Sequence, residues 1–230
     1  MNMQTTRPPR LVHLILAAAC VAALSCGGCV NSVGGAFKGR PEQLDQQLSP
    51  AALALVERSF SDLEGGPAID YHAHILSIGT NNNAEVNRKM LSWLYPVQHA
   101  KYRVYLSASG VDDLTRADEE YVSRLVRLLR GFRHPVKAHV LAFDRYYNPD
   151  GTINREKTEF YVPNEYVVRL ADQYPDVLVP VISVHPYRHD AVEELERWAK
   201  RGVRYVKWLP NTQRIDPADP SETAYAIRDL

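Results

Sequence analysis

Apolar and polar positions follow two periods along this chain. Val177–Val184 is apolar almost throughout, as a strand covered on both faces would be. Val136–Phe143 and Val203–Leu209 read as further strands, and Ala68–Ile75 as a buried strand that ends in polar residues. Helical spacing is clearest at Asp118–Arg130, where Tyr121, Val122, Leu125, Leu128 and Leu129 share one side. Ser49-Pro50 opens an earlier helix, with Ser as cap and Pro at the first turn, and Gly65-Gly66-Pro67 stops it. Asn164 caps a helix to about Tyr174, and Asp190 with Glu193 forms a capping-box pattern for a helix to Lys200 that Gly202 closes. Ser221 caps a last helix, still running at Leu230. Gly79–Val97 reads as a long loop, Lys101–Ser109 as a strand or the start of a helix, and Asn148–Gly151 as a turn.

Strands alternating with helices predict a parallel α/β sheet of four or five strand–helix units. Both an open doubly wound sheet and an incomplete eight-unit barrel fit that order. No Gly-rich phosphate loop follows any strand, which weighs against the nucleotide-binding form of the open sheet.

The N-terminus departs from this pattern. Arg7 and Arg10 precede an uncharged run, Leu11–Leu24, followed by small residues and cysteines, the layout of an export signal. The run is shorter than the roughly 20 residues a spanning helix needs. All three cysteines, Cys20, Cys26 and Cys29, lie here, so neither disulfides nor thiolate metal sites are expected in the body. Leu24-Ser25-Cys26-Gly27-Gly28-Cys29 resembles the lipobox of bacterial lipoproteins. Residues 1–29 therefore read as a lipoprotein-type signal with Cys29 as the lipidated residue and Cys26 as the other candidate. Residues 30–48 read as a polar tether, and 49–230 as the domain. The expected location is outside the cytoplasm, held at a membrane by the N-terminal lipid. The 27 basic and 27 acidic residues balance, so no net field draws the chain to nucleic acid.

The chemistry centres on Asp70-Tyr71-His72-Ala73-His74-Ile75. Alternate residues of a strand leave one face together, with Cα atoms about 6–7 Å apart, so the two imidazoles can converge on one divalent ion. Zinc, manganese or iron would accept them. At the C-terminal mouth of a parallel barrel, that face is where active sites lie. Asp70, two residues upstream, is a candidate to orient an imidazole from behind.

The D-x-H-x-H motif, His185-Pro186 and the Val206–Pro210 segment V-K-W-L-P together resemble the amidohydrolase superfamily, over residues 68–220. The nearest branch is that of the amidohydrolase-related hydrolases and decarboxylases. The resemblance implies a (β/α)8 TIM-like barrel, of which this chain would supply about the first five strand–helix units, and one or two divalent metals, usually zinc. It implies water activated by the metal for attack on an amide, ester or lactone of a small-molecule substrate. His72 and His74 match the metal ligands of the first strand. The family's fifth strand commonly ends in a metal-binding histidine, where this chain has Leu209. Lys207, two residues earlier, is a candidate metal or substrate ligand; some members carry a carboxylated lysine there, usually from the fourth strand. His185, ending a strand at the same mouth, is a candidate of the same kind. The family's catalytic base, an aspartate on the eighth strand, would lie beyond Leu230, so a fragment of a longer protein is expected. Two alternatives accompany this reading: an exported lipoprotein with a non-catalytic ligand-binding barrel, and a metal-dependent decarboxylase of the same superfamily. His139 reads as a core histidine, Asp144 and Arg145 as a loop pair or substrate contacts, and Trp93, Tyr95 and Tyr102 as a lid or as loop packing.

Overall fold

The computed structural model describes residues 35, 39–61, 63, 65–216 and 218. The export signal, Cys26, Cys29, most of residues 30–38 and the helix expected from Ser221 lie outside the described residues. Among the described residues, no helix is long and apolar enough to cross a membrane.

Three strands form a parallel sheet in the order β1 (Ala68–His74), β3 (Val136–Leu141), β5 (Leu178–Val181). A fourth parallel segment joins through a single bridge, Ile182 to Val206, with Ile182 N–H donating to Tyr205 and Lys207 N–H donating to Ile182. The mixed α/β class agrees with the sequence pattern. The sheet does not close, and four parallel segments stand where up to five strands were expected.

The missing strand is Lys101–Ser109, which is helical. It belongs to α3 (Pro96–Ser109), started by Pro96 in the first turn and stopped by Gly110 at φ 69°. The expected loop Gly79–Val97 also carries structure: β2 (Glu85–Val86) and a single helical turn, α2 (Arg88–Leu91), capped by Asn87. β2 pairs antiparallel with β4 (Phe160–Tyr161). Polar Asn and Arg residues hid these short elements, because their backbone pairing is non-local.

Helices cover one face of the sheet. These are α4 (Ala117–Gly131), α5 (Asn164–Gln173) and α6 (Ala191–Lys200). Ala73, Ile75, Ala138, Val140 and Leu178 pack there against Val122, Val126 and Leu129 of α4 and Val167 and Leu170 of α5. Ile182 and Val184 continue the same layer against Leu195 and Trp198 of α6.

Two capping expectations are corrected. Asn164 sits inside α5, and its amide bonds both the N–H and the carbonyl of Ser183, tying helix to sheet. Asp190 makes no side-chain cap; its carboxylate is taken by Arg188. Part of the segment expected as a tether carries structure. Pro41–Gln47 is a 3-10 helix docked on α4, with Arg127 paired to Glu42 and Arg124 donating to the Gly39 carbonyl. It precedes α1 (Pro50–Ser61).

Candidate functional site

The uncovered face of the sheet carries the histidines. β1 and β3 run in register at Ala68–Val136, Ile69–Lys137 and Asp70–Ala138, and again at Ala73–Val140 and His74–Leu141. Three residue steps on β1 thus match two on β3, so a bulge lies at Tyr71–His72. Beyond it the two-residue alternation is clean: Ala73 is buried under the helices while His72 and His74 are exposed on the other side.

The bulge also decides what Asp70 does. Alternation does not carry through it, so Asp70 is not in phase with the histidine face. Its carboxylate instead accepts from the His72 backbone N–H at 2.8 Å. It secures the kinked main chain and touches neither imidazole ring at hydrogen-bond distance. Tyr71 meets the His139 ring at a tilt, with centroids 4.7 Å apart, and Tyr205 meets it likewise at 4.4 Å. His139 is buried as expected; burial lowers its pKa, against the pull of Asp70.

His72 Nε2 and His74 Nε2 lie 2.9 Å apart, and Lys207 Nζ is 2.8 Å from His72 Nε2. Three nitrogens from the first and fourth parallel segments therefore meet at one point. Lys207 is aimed there by its own backbone bond to Ile182, by the Trp208 indole N–H donating to the Val184 carbonyl at 2.7 Å, and by Gln213. Gln213, buried in α7 (Pro210–Gln213), accepts from the Leu209 N–H. The His74 pKa is lowered to about 4, first by desolvation, then by the Lys207 and His72 charges. The residue as a whole is exposed, so it is the crowding of its ring that matters. Burial also lowers the Lys207 pKa. Among the described residues, no group of three His, Cys, Asp or Glu side chains is gathered for a metal; the third member here is a lysine.

Counting strands changes the standing of Lys207. With Lys101–Ser109 helical, Lys207 sits on the fourth parallel segment and not the fifth.

His185 is not brought to this point. It is fully buried, its Nε2–H donates to the Gln213 carbonyl at 3.0 Å, and its Nδ1 accepts from Tyr187 N–H at 3.2 Å. Both ring nitrogens are occupied by the protein, which removes it as a metal or substrate ligand in this conformation. Asp144, beneath it, accepts from the His185 N–H and from Arg188, while Arg145 pairs with Glu85 and lies over the Tyr161 ring. Both hold the framework together. Trp93 packs on His99 and Tyr102 is buried with Met90 and Leu106, so the expected aromatic group does not act as one lid.

Sequence reasoning missed Asp118. Fully buried in the first turn of α4, its carboxylate accepts from Ser77 Oγ, from the N–H groups of Ile78, Gly79 and Thr80, and from Asn82 Nδ2, at 2.7–3.1 Å. It fixes the loop that leaves β1 just after His74. Tyr121 of the same helix donates to the His74 carbonyl at 2.7 Å.

Comparison of the chain with protein-family models, with curated proteins and with solved structures finds no match.

Proposed function

We propose that the chain carries the metal-binding part of a hydrolase resembling the amidohydrolase superfamily. The observation that supports this is the meeting of His72, His74 and Lys207 nitrogens at the C-terminal ends of parallel segments. The residues fit a divalent ion, zinc by the resemblance. Two imidazole nitrogens beside one amine are donors of the kind such an ion would accept. No carboxylate stands between the three nitrogens at hydrogen-bond distance, and His72 Nε2 faces two nitrogen neighbours with one lone pair to offer.

A bound ion would supply water of lowered pKa and would polarise the scissile carbonyl. The chain's own residues set the rest. His72 and His74 must be neutral to present lone pairs, and the crowding of His74 by burial and by Lys207 favours its neutral form. The Asp70 bond holds the bulge that turns His72 toward His74. Lys207 joins through its free amine, or as a carbamate anion formed with carbon dioxide and the loss of two protons from the ammonium form. The carbamate would replace one nitrogen with two oxygen donors and cancel the cation beside the rings. Its place on the fourth segment supports the second form. By the sequence, a lipid on Cys29 would hold this body at a membrane, facing the periplasm or the cell exterior.

The test is metal content by mass spectrometry of the purified full chain, incubated with zinc and with or without bicarbonate. About one or two ions per chain are expected, with a marked loss in His72→Ala and in Lys207→Ala. A wild-type chain that retains no zinc under any of these conditions would sink the reading. One observation favours the non-catalytic binding barrel: Lys207 Nζ lies within hydrogen-bond distance of His72 Nε2, at 2.8 Å. That reading expects zinc-free protein whose ligand binding survives His72→Ala.

A further inference from the structure

A cavity of about 400 Å³ opens beside His74, where the ends of β1 and β3 meet α3 and β4. Leu141, Phe143, Tyr105, Phe160 and Val162 line it together with His74. The Tyr105 and Phe160 rings meet edge-on at 5.5 Å, making one aromatic wall. The size lies at the small end of ligand pockets and suits one or two rings.

Four polar groups of the wall are already committed. Glu159 takes both bonds of Lys101, at 2.8 and 2.6 Å. Ser77 Oγ donates to Asp118, Ser109 Oγ to the Leu106 carbonyl, and Tyr121 to the His74 carbonyl. A charged guest would therefore lose its water without gaining a counter-ion from this wall, whereas an apolar guest gains by burial. His74 borders both the cavity and the nitrogen cluster, so a guest's reacting group would lie one side chain away from its apolar body.

We propose that this cavity takes the neutral apolar body of the substrate, an aryl or branched alkyl group of one or two rings. The substrate class of the His72–His74–Lys207 centre is then uncharged apolar esters, amides or lactones, in place of carboxylated acids. The inference rests on the hydrolase reading above for the reaction, but on the cavity alone for the guest.

The experiment is calorimetric titration of the full chain with 2-naphthol and with the anion 2-naphthoate, alongside zinc content. Naphthol is expected to bind at least tenfold more tightly than naphthoate. Ala108→Trp, which fills the cavity from an exposed position of α3, should weaken naphthol tenfold or more. Tyr105→Ala, which removes half the aromatic wall, serves as a second variant should the first fail to fold by circular dichroism. His72→Ala, outside the cavity lining, should keep naphthol affinity while losing zinc. Naphthoate binding as tightly as naphthol, or naphthol affinity unchanged in folded Ala108→Trp and Tyr105→Ala, overturns the proposal. Naphthol binding that meets the naphthoate and Ala108→Trp expectations in a chain that never holds zinc supports the cavity and removes the hydrolase reading instead.

Discussion

Asp118 and the His72–His74–Lys207 cluster gather polar groups in opposite ways. At Asp118, buried in the first turn of α4, one carboxylate meets five donors from a single loop. At the cluster, three nitrogens meet on the open face with no carboxylate of the described residues at hydrogen-bond distance. A buried charge surrounded by matched donors stabilises a fold, and removing it strands those donors. A set of like groups that satisfy one another poorly adds little to stability; its economy makes sense when something else binds there. The two regions are covalently adjacent, since the anchored loop begins three residues after His74.

The contrast is broken most directly at the anchor. Asp118→Ala is expected to cost about 3–5 kcal/mol in urea unfolding, as for other broken buried charge networks. A loss under about 1 kcal/mol would mean that the loop finds other partners. Gly79→Ala comes next, at about 1–3 kcal/mol, because that residue sits at φ 84° and an added Cβ would come 2.5 Å from the Ala84 carbonyl oxygen. A normal unfolding midpoint for this variant would show that the loop is looser than its hydrogen bonds imply.

Acid sharpens the comparison further, acting on the same excursion of the chain. Hydrogen bonding by Arg145 lowers the Glu85 pKa below its ordinary 4.5, against desolvation that raises it. A depressed folded-state value means the contribution is present above pH 4.5 and is lost as pH falls through the folded pKa. Wild type should therefore lose its advantage over Glu85→Gln as pH falls below 4.5 and through the lowered folded-state pKa. Parallel pH curves for the two proteins would refute the assignment. The smallest effect is expected at the open face: His72→Ala combined with His74→Ala should change metal-free stability by less than about 1 kcal/mol, because both residues are exposed. A cost above roughly 2 kcal/mol would make the pair a structural element.

The strands, the helix layer and the two histidines were legible because each follows from a repeating local pattern. Val177–Val184 and Asp118–Arg130 could be read from spacing alone. Lys101–Ser109 could not, because its apolar positions fit either period, and Pro96, five residues upstream, decided the matter. That ambiguity had displaced Lys207 by one strand. The role of Asp118 left no local trace: an acid in a first helical turn is ordinary on dipole grounds, and its partners lie about 40 positions away. His185 lies beyond the end of β5 at Val181, and the Gln213 carbonyl that takes its Nε2–H comes from an element 28 positions later.

The bulge at Tyr71–His72 separates the strand into two independently phased halves. Ala68–Asp70 is paired to β3 in one phase and Ala73–His74 in another. Drift in the lower half, by substitution or by a shift in how it packs on the helices, need not rotate the histidines. The strand can thus vary its foundation while its tip keeps a fixed aim, which separates the inheritance of packing from the inheritance of chemistry.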